Sequence, residues 1–143
     1  MRTFAALLAL SLAAAVHAEE KAVPVGTRIA NLTFKDTRFL VRSLDDFKDR
    51  KAFVIALVDP GCPLAPRYLP VLKRLEADYR ARGVQFLALQ AGGTETLVDL
   101  AGLAIDHQIP FPIVKDFEGR SLDVLGVERT PEVVVLDADR KIR

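Results

Sequence analysis

A chain of 143 residues, half hydrophobic and 27% charged, is long enough for one domain with a real core and has an ordinary globular composition. Its net charge of +1, with both signs mixed along the chain, offers no basic block or aromatic run for nucleic acid. A single cysteine, Cys62, excludes an internal disulfide, and with His17 and His107 as the only histidines neither a metal site nor a cofactor is expected.

The first residues read as a targeting segment. Arg2 supplies a basic start, Phe4 to Val16 an Ala/Leu-rich apolar run, and Val16-His17-Ala18 a small-x-small cleavage site before Glu19-Glu20-Lys21. Residues 1–18 are therefore expected to be a signal peptide. The run falls short of the roughly 20 residues a membrane span needs, so no span is expected after cleavage. No cysteine follows it, which removes a lipoprotein anchor. The mature chain, from residue 19, is expected outside the cytoplasm, secreted or periplasmic, where conditions are usually oxidising.

Ala22 to Thr27 forms a leader arm. Asn31 to Phe34 and Arg38 to Arg42 flank the turn-like Lys35-Asp36-Thr37 and predict a hairpin. Leu44 to Phe47 predicts a short helical turn with Ser43 as its cap, and Lys48 to Lys51 a solvated charge cluster. Ala52 to Val58 is apolar without alternation, as a strand covered on both faces should be. Asp59-Pro60-Gly61-Cys62-Pro63-Leu64-Ala65-Pro66 follows, then an amphipathic helix predicted from Pro63 to Arg82, with Pro63 at its first position. Leu64, Tyr68, Leu69, Val71, Leu72, Leu75 and Tyr79 make its apolar stripe. Lys73, Arg74, Glu76, Asp78 and Arg80 are read as its solvated face. Pro70 removes one helical hydrogen bond and should kink the helix, and Gly83 ends it.

Val84 to Ala91 is the next predicted strand, and Gly92-Gly93 a plain connecting turn, since the Lys-Ser/Thr ending of a phosphate loop is missing. Thr94 is read as the cap of a helix reaching His107, whose ring is expected to pack at the helix end. Phe111 to Lys115 is a third strand, Ser121 to Leu125 a short helix closed by Gly126, and Val133 to Leu136 a fourth strand. After the turn at Asp137 to Arg140, Lys141-Ile142-Arg143 begins another. A hairpin followed by alternating strands and helices specifies an α/β sandwich. The chain stops where a further strand and a covering helix would be expected. A C-terminally incomplete domain is therefore expected, with a fused domain beyond Arg143 as a candidate partner.

Cys62 lies between the buried strand and the helix that follows. A thiol there meets the positive end of the helix dipole and unpaired N–H groups, the common setting of a reactive thiolate. The helix contributes about 0.3–1 kcal/mol to an adjacent anion, and an ionised Asp59 nearby opposes it, so mild activation is expected. The structural alternative is a small buried hydrophobe.

These residues resemble the thioredoxin superfamily in its extracytoplasmic redoxin branch, the TlpA-like and AhpC/TSA-like proteins. The likeness runs from Val25 to Arg143. Gly26 to Asp36 is similar to the opening hairpin, Cys62-Pro63 to the start of the active-site motif, and Pro70, eight residues after Cys62, to the helix-kinking proline. Tyr79 to Phe86 is similar to the helix-to-strand passage, and Thr130-Pro131 to the cis-proline that lies beside the thiol. The resemblance implies a three-layer sandwich with a central mixed sheet and an N-terminal hairpin extension. It also implies that Cys62 is catalytic, with Asp59, Pro63, Ala65, Arg129, Thr130 and Pro131 near it.

The chain departs from the pattern where chemistry is decided. Cys62-Pro63-Leu64-Ala65 stands in place of Cys-x-x-Cys, so Ala65 cannot resolve a mixed disulfide. Gly61 replaces an aromatic residue, and Tyr68 an acidic residue of many TlpA-like proteins. Asp59 occupies the Thr/Ser position of peroxidases, where a carboxylate repels both thiolate and peroxide anion, and copper delivery lacks its second cysteine. Three readings remain. The first is a monothiol redox protein acting on a disulfide- or peroxide-bearing substrate, with an external thiol to resolve the mixed disulfide or sulfenic acid. The second is a non-catalytic thioredoxin-fold binding or scaffold domain, and the third a one-cysteine peroxidase. Arg129 could hold an anionic substrate or the thiolate, against a plain solvated role.

Overall fold

The apolar run without alternation becomes the centre of the sheet. In the computed structural model, which describes residues 22–143, strand β3 (Ala52–Leu57) lies between parallel β4 (Val84–Ala91) and antiparallel β6 (Val133–Asp137). Residues 1–18, the expected signal peptide, lie outside the described residues. Beyond β4 come parallel β5 (Ile113–Asp116) and then the antiparallel hairpin β1 (Thr33–Asp36) and β2 (Val41–Ser43). The six strands are ordered β2-β1-β5-β4-β3-β6.

Strand alternation sorts the side chains into two cores. Phe53, Ile55 and Leu57 of β3 join Leu87 and Leu89 of β4, Val114 of β5, and Val134 and Leu136 of β6. That layer is closed by Leu125 of helix α3 (Arg120–Leu125), by Leu44 of a short 3-10 turn and by Ile29 and Leu32 of the N-terminal segment. On the opposite face Ala56, Phe86, Ala88 and Ile113 pack under Leu72 of helix α1 (Ala65–Tyr79) and Leu97 and Leu100 of helix α2 (Leu97–Asp106). The expected three-layer α/β sandwich with a mixed sheet and an N-terminal hairpin is therefore the observed fold.

Four local readings change. The hairpin turn runs over Thr37 to Leu40, because the Asp36 carboxylate accepts the backbone N–H groups of Arg38 (2.9 Å) and Leu40 (3.0 Å) and Phe39 takes a positive φ of 66°. Pro63 is not the first helical residue. The Ala65 N–H closes a tight turn on the Cys62 carbonyl (3.1 Å), Leu64 is the N-cap, and Pro66 near the helix start is the proline that α1 tolerates. Thr96 caps α2 rather than Thr94, because only Thr96 has a carboxylate three residues on. Asp99 Oδ2 accepts the Thr96 N–H (2.7 Å), and the Thr96 hydroxyl accepts the Asp99 N–H (3.2 Å). Finally, the stripe of α1 divides. Ala65, Leu69, Leu72 and Glu76 face the sheet, while Leu64, Tyr68, Val71, Leu75 and Tyr79 remain 37–47% exposed. Glu76, read as solvated, is buried with both carboxylate oxygens on the Arg80 guanidinium at 2.6 and 2.7 Å, a bidentate pair one helical turn apart.

Candidate functional site

β3, β4 and β5 run parallel, so their C-terminal ends share one edge of the sheet. At that edge β3 releases the loop Val58 to Leu64 that leads into α1. The loop is folded by its own aspartate: Asp59 Oδ1 accepts the Gly61 N–H (2.8 Å), and the Asp59 carbonyl accepts the Cys62 N–H (2.9 Å). Asp59 thus shapes the turn that presents the cysteine, with its carboxylate engaged inside that turn.

Antiparallel pairing delivers the other half of the site. Ala56 stands opposite Val133, and the Leu57 N–H donates to the Glu132 carbonyl at 2.8 Å, so the start of β6 meets the end of β3. Thr130 and Pro131 precede β6 and are joined by a cis peptide bond. They lie beside the cysteine loop although 68 residues separate them from it. The partly buried Cys62 thiol donates to the Thr130 carbonyl oxygen, with Sγ and O 3.8 Å apart. A carbonyl only accepts, so the thiol is the donor in this contact.

Ala65 is buried one turn after Cys62, at 4% exposure, and its N–H is the one bound to the Cys62 carbonyl. With Tyr68, Leu69, Leu72, Pro131 and Val133 it lines a small apolar pocket of about 80 Å³. On the other side of the Thr130 loop lies a larger polar cleft of about 340 Å³, bordered by Asp59, Gln90, Glu95, Glu128, Arg129 and Thr130. The sequence-predicted residues Asp59, Cys62, Ala65, Thr130 and Pro131 therefore converge, with Arg129 on the cleft wall. Pro63 is an exposed turn residue, and Pro70 stands in the body of α1, where its missing N–H leaves the Pro66 carbonyl without a helical donor. His107 is the C-cap of α2, and its carbonyl accepts the Lys73 ammonium at 2.8 Å.

Sequence reasoning missed the cleft's supporting shell. Lys115, 2% exposed, donates to Gln90 Oε1 and to the Gly92 carbonyl, both at 2.7 Å, and Gln90 Nε2 donates on to Glu95 Oε2 at 2.8 Å. This chain holds the Gly92-Gly93 turn against the end of β5. A lysine in a strand of four buried residues was the only signal for it. It also missed Glu132, the residue after the proline, whose Oε2 accepts the backbone N–H groups of Glu128 and Arg129. Among the described residues no group of three or more His, Cys, Asp or Glu side chains is placed to hold a metal ion. Nor is any of their helices long and apolar enough to cross a membrane.

Chemically, the arrangement presents one sulfur at a strand-to-helix corner, next to a backbone carbonyl on an exposed loop. That is a setting open to thiol exchange.

Comparison with known proteins adds the following. The family model described as the AhpC/TSA family matches residues 25–143. A thiol-disulfide oxidoreductase ResA of Geobacillus thermodenitrificans is 27% identical across the whole chain and 83% of its own length. The protein of that name from Bacillus subtilis is 21% identical over 90% of this chain and 70% of its own. Among solved structures, a hypothetical protein of Sinorhizobium meliloti superposes with a TM-score of 0.78 at 24% identity, over 85% of this chain and 69% of that one. The thioredoxin domain of a thiol-disulfide oxidoreductase from Bacteroides vulgatus gives 0.73 at 17%, over 85% and 86%.

Proposed function

The chain belongs to the AhpC/TSA family, in the redoxin branch of the thioredoxin superfamily, and from that premise we propose that it is an extracytoplasmic thiol-disulfide exchange domain working through one reactive cysteine. The observation that carries this reading is the Cys62 thiol in the loop between β3 and α1, 3.8 Å from the Thr130 carbonyl. The similar proteins named thiol-disulfide oxidoreductases support the class of chemistry.

The Cys62 thiolate attacks one sulfur of a substrate disulfide. A new bond forms between Cys62 and that half, the substrate's S–S bond breaks, and the other half leaves as a thiolate that takes up a proton. In relatives with Cys-x-x-Cys a second cysteine would then displace the substrate, and here Ala65 occupies that place. An external thiolate completes the cycle by attacking the bound substrate sulfur. Cys62 leaves as thiolate, and the substrate half carries a disulfide to the external thiol. The net reaction is exchange between a disulfide and a thiol. Asp59, which puts a carboxylate three residues before the sulfur, favours this over peroxide reduction. Residues 1–18 act as the export signal, so the measurable consequence is a mature chain beginning at Glu19.

The test uses dithiothreitol-driven insulin reduction. The wild type is expected near background, Cys62→Ser at background, and Ala65→Cys well above both, because residue 65 is already buried one turn from the sulfur. Efficient catalysis by the wild type would defeat the single-thiol account. Stoichiometric trapping of a Cys62 sulfenic acid at low peroxide would move the reading to a one-cysteine peroxidase. A wild-type thiol inert to every disulfide offered would leave a binding or scaffold domain.

A further inference from the structure

Glu132 has two attachments of different kind. Its main chain belongs to the sheet, through the 2.8 Å bond from the Leu57 N–H to its carbonyl. Its side chain turns back on the loop before it, where Oε2 accepts the N–H of Glu128 at 3.2 Å and of Arg129 at 3.4 Å. Two successive backbone N–H groups converging on one oxygen make a small anion cradle, filled here by the chain's own carboxylate. The span from Glu128 to Pro131 is thereby bent around residue 132, and the Thr130 carbonyl that meets Cys62 Sγ lies within that span.

We infer that Glu132 is a positioning residue for the exchange reaction: its carboxylate holds the Glu128–Thr130 backbone at the height where that backbone can align a substrate disulfide with Cys62. The inference rests on the exchange reading above. The sulfur is carried by a different loop, folded by Asp59. Losing the Glu132 carboxylate therefore loosens the surface that orients a docked chain and leaves the nucleophile where it is. The backbone bond to Leu57 does not depend on the side chain, so a truncated residue keeps its place at the entry to β6.

The experiment compares two reactions of Cys62 in the full chain, in wild type, Glu132→Ala and Glu132→Gln. Iodoacetamide alkylates the thiol without docking. A short cysteine peptide, presented as its mixed disulfide with 2-nitro-5-thiobenzoate, must dock, and exchange releases the coloured thiol. In Glu132→Ala the peptide rate is expected to fall about tenfold or more, as for losing hydrogen bonds to a charged acceptor, while alkylation stays within about twofold. Glu132→Gln keeps an acceptor oxygen and is expected to recover the peptide rate to within about threefold. Equal losses in both reactions, no loss in either, or a Gln variant no better than Ala would overturn the inference. A wild type that alkylates but does not react with the peptide disulfide would overturn the exchange reading itself, a result distinct from a reactive wild type matched by Glu132→Ala.

Discussion

Two corners of this molecule begin alike and end differently. β3 and β5 both leave the same edge of the sheet, and each is followed by an aspartate-anchored turn and a helix. At the β5 corner Asp116 is buried and saturated. Oδ1 accepts the N–H groups of Glu118 (3.1 Å) and Gly119 (3.2 Å), and Oδ2 accepts the N–H and hydroxyl of Ser121, both at 2.7 Å. Gly119, with φ of 68°, makes the tight bend into α3. At the β3 corner Asp59 is only partly buried, and its carboxylate takes a single N–H, that of Gly61. The first corner invests its hydrogen bonds in stability and carries no thiol. The second leaves its backbone open at the surface and carries the one sulfur. The difference shows how one topological device builds a closed, hydrogen-bonded corner at one strand and presents a thiol at its neighbour.

Stability should separate the two corners most sharply. Asp116→Ala strips four donors of their acceptor, two of them on the buried Ser121, and is expected to cost about 3 kcal/mol and lower Tm by roughly 10 °C. Urea and thermal unfolding followed by circular dichroism measure this, and a cost below about 1 kcal/mol would show the corner to be held by packing alone.

Acid should separate them next. Burial raises the proton affinity of the Asp116 carboxyl, but its hydrogen bonds from Ser121, Glu118 and Gly119 outweigh burial and hold it below its ordinary value. A depressed folded pKa means that the unfolded chain binds the proton more readily. The stabilisation is complete above the unfolded value, about pH 3.9, and is lost as pH falls through the lower folded value. Asp116→Asn should therefore show a flatter loss of urea midpoint below about pH 4 than the wild type. Asp36, held low by hydrogen bonds from Leu40 and Arg38 against the effect of its burial, adds an acid dependence of the same sign in both proteins. Parallel acid curves would remove Asp116 as a source of the dependence.

The smallest effect belongs to the cysteine corner. Asp59→Asn keeps an acceptor for the Gly61 N–H and removes the carboxylate charge next to Cys62. Unfolding free energy is expected to stay within about 0.5 kcal/mol, and the iodoacetamide rate at neutral pH to rise about twofold. A large stability loss would mean that the two aspartates do the same job after all.

Much of this was legible because it is local. Apolar runs placed β3, β4 and β6, apolar periodicity placed the body of α1, and the Cys62-Pro63 and Thr130-Pro131 pairs marked the candidate site through their resemblance to a family. Helix ends were read less well, since several residues compete for each cap. Thr94 and Thr96 look equivalent until Asp99 is counted, and Pro63 and Pro66 until the turn at Cys62 closes. The burial of Glu76 was hidden because periodicity ranks residues by type, while a carboxylate paired with Arg80 can be covered where a lone one cannot. Lys115 was hidden for the same reason, its acceptors lying on β4 and the turn after it.

What the sequence by itself determined is the order of strands and helices and the supply of one thiol without a partner in its motif, because hydrophobic period and residue count are properties of the chain. What only the tertiary structure decided is which groups surround that thiol. Antiparallel pairing of β6 with β3 carries Thr130 across 68 residues to Cys62, the Glu132 side chain folds back on its own loop, and packing of α1 on the sheet buries one row of its side chains while another stays exposed. Proximity of that kind is set by strand register and packing, which no local pattern encodes.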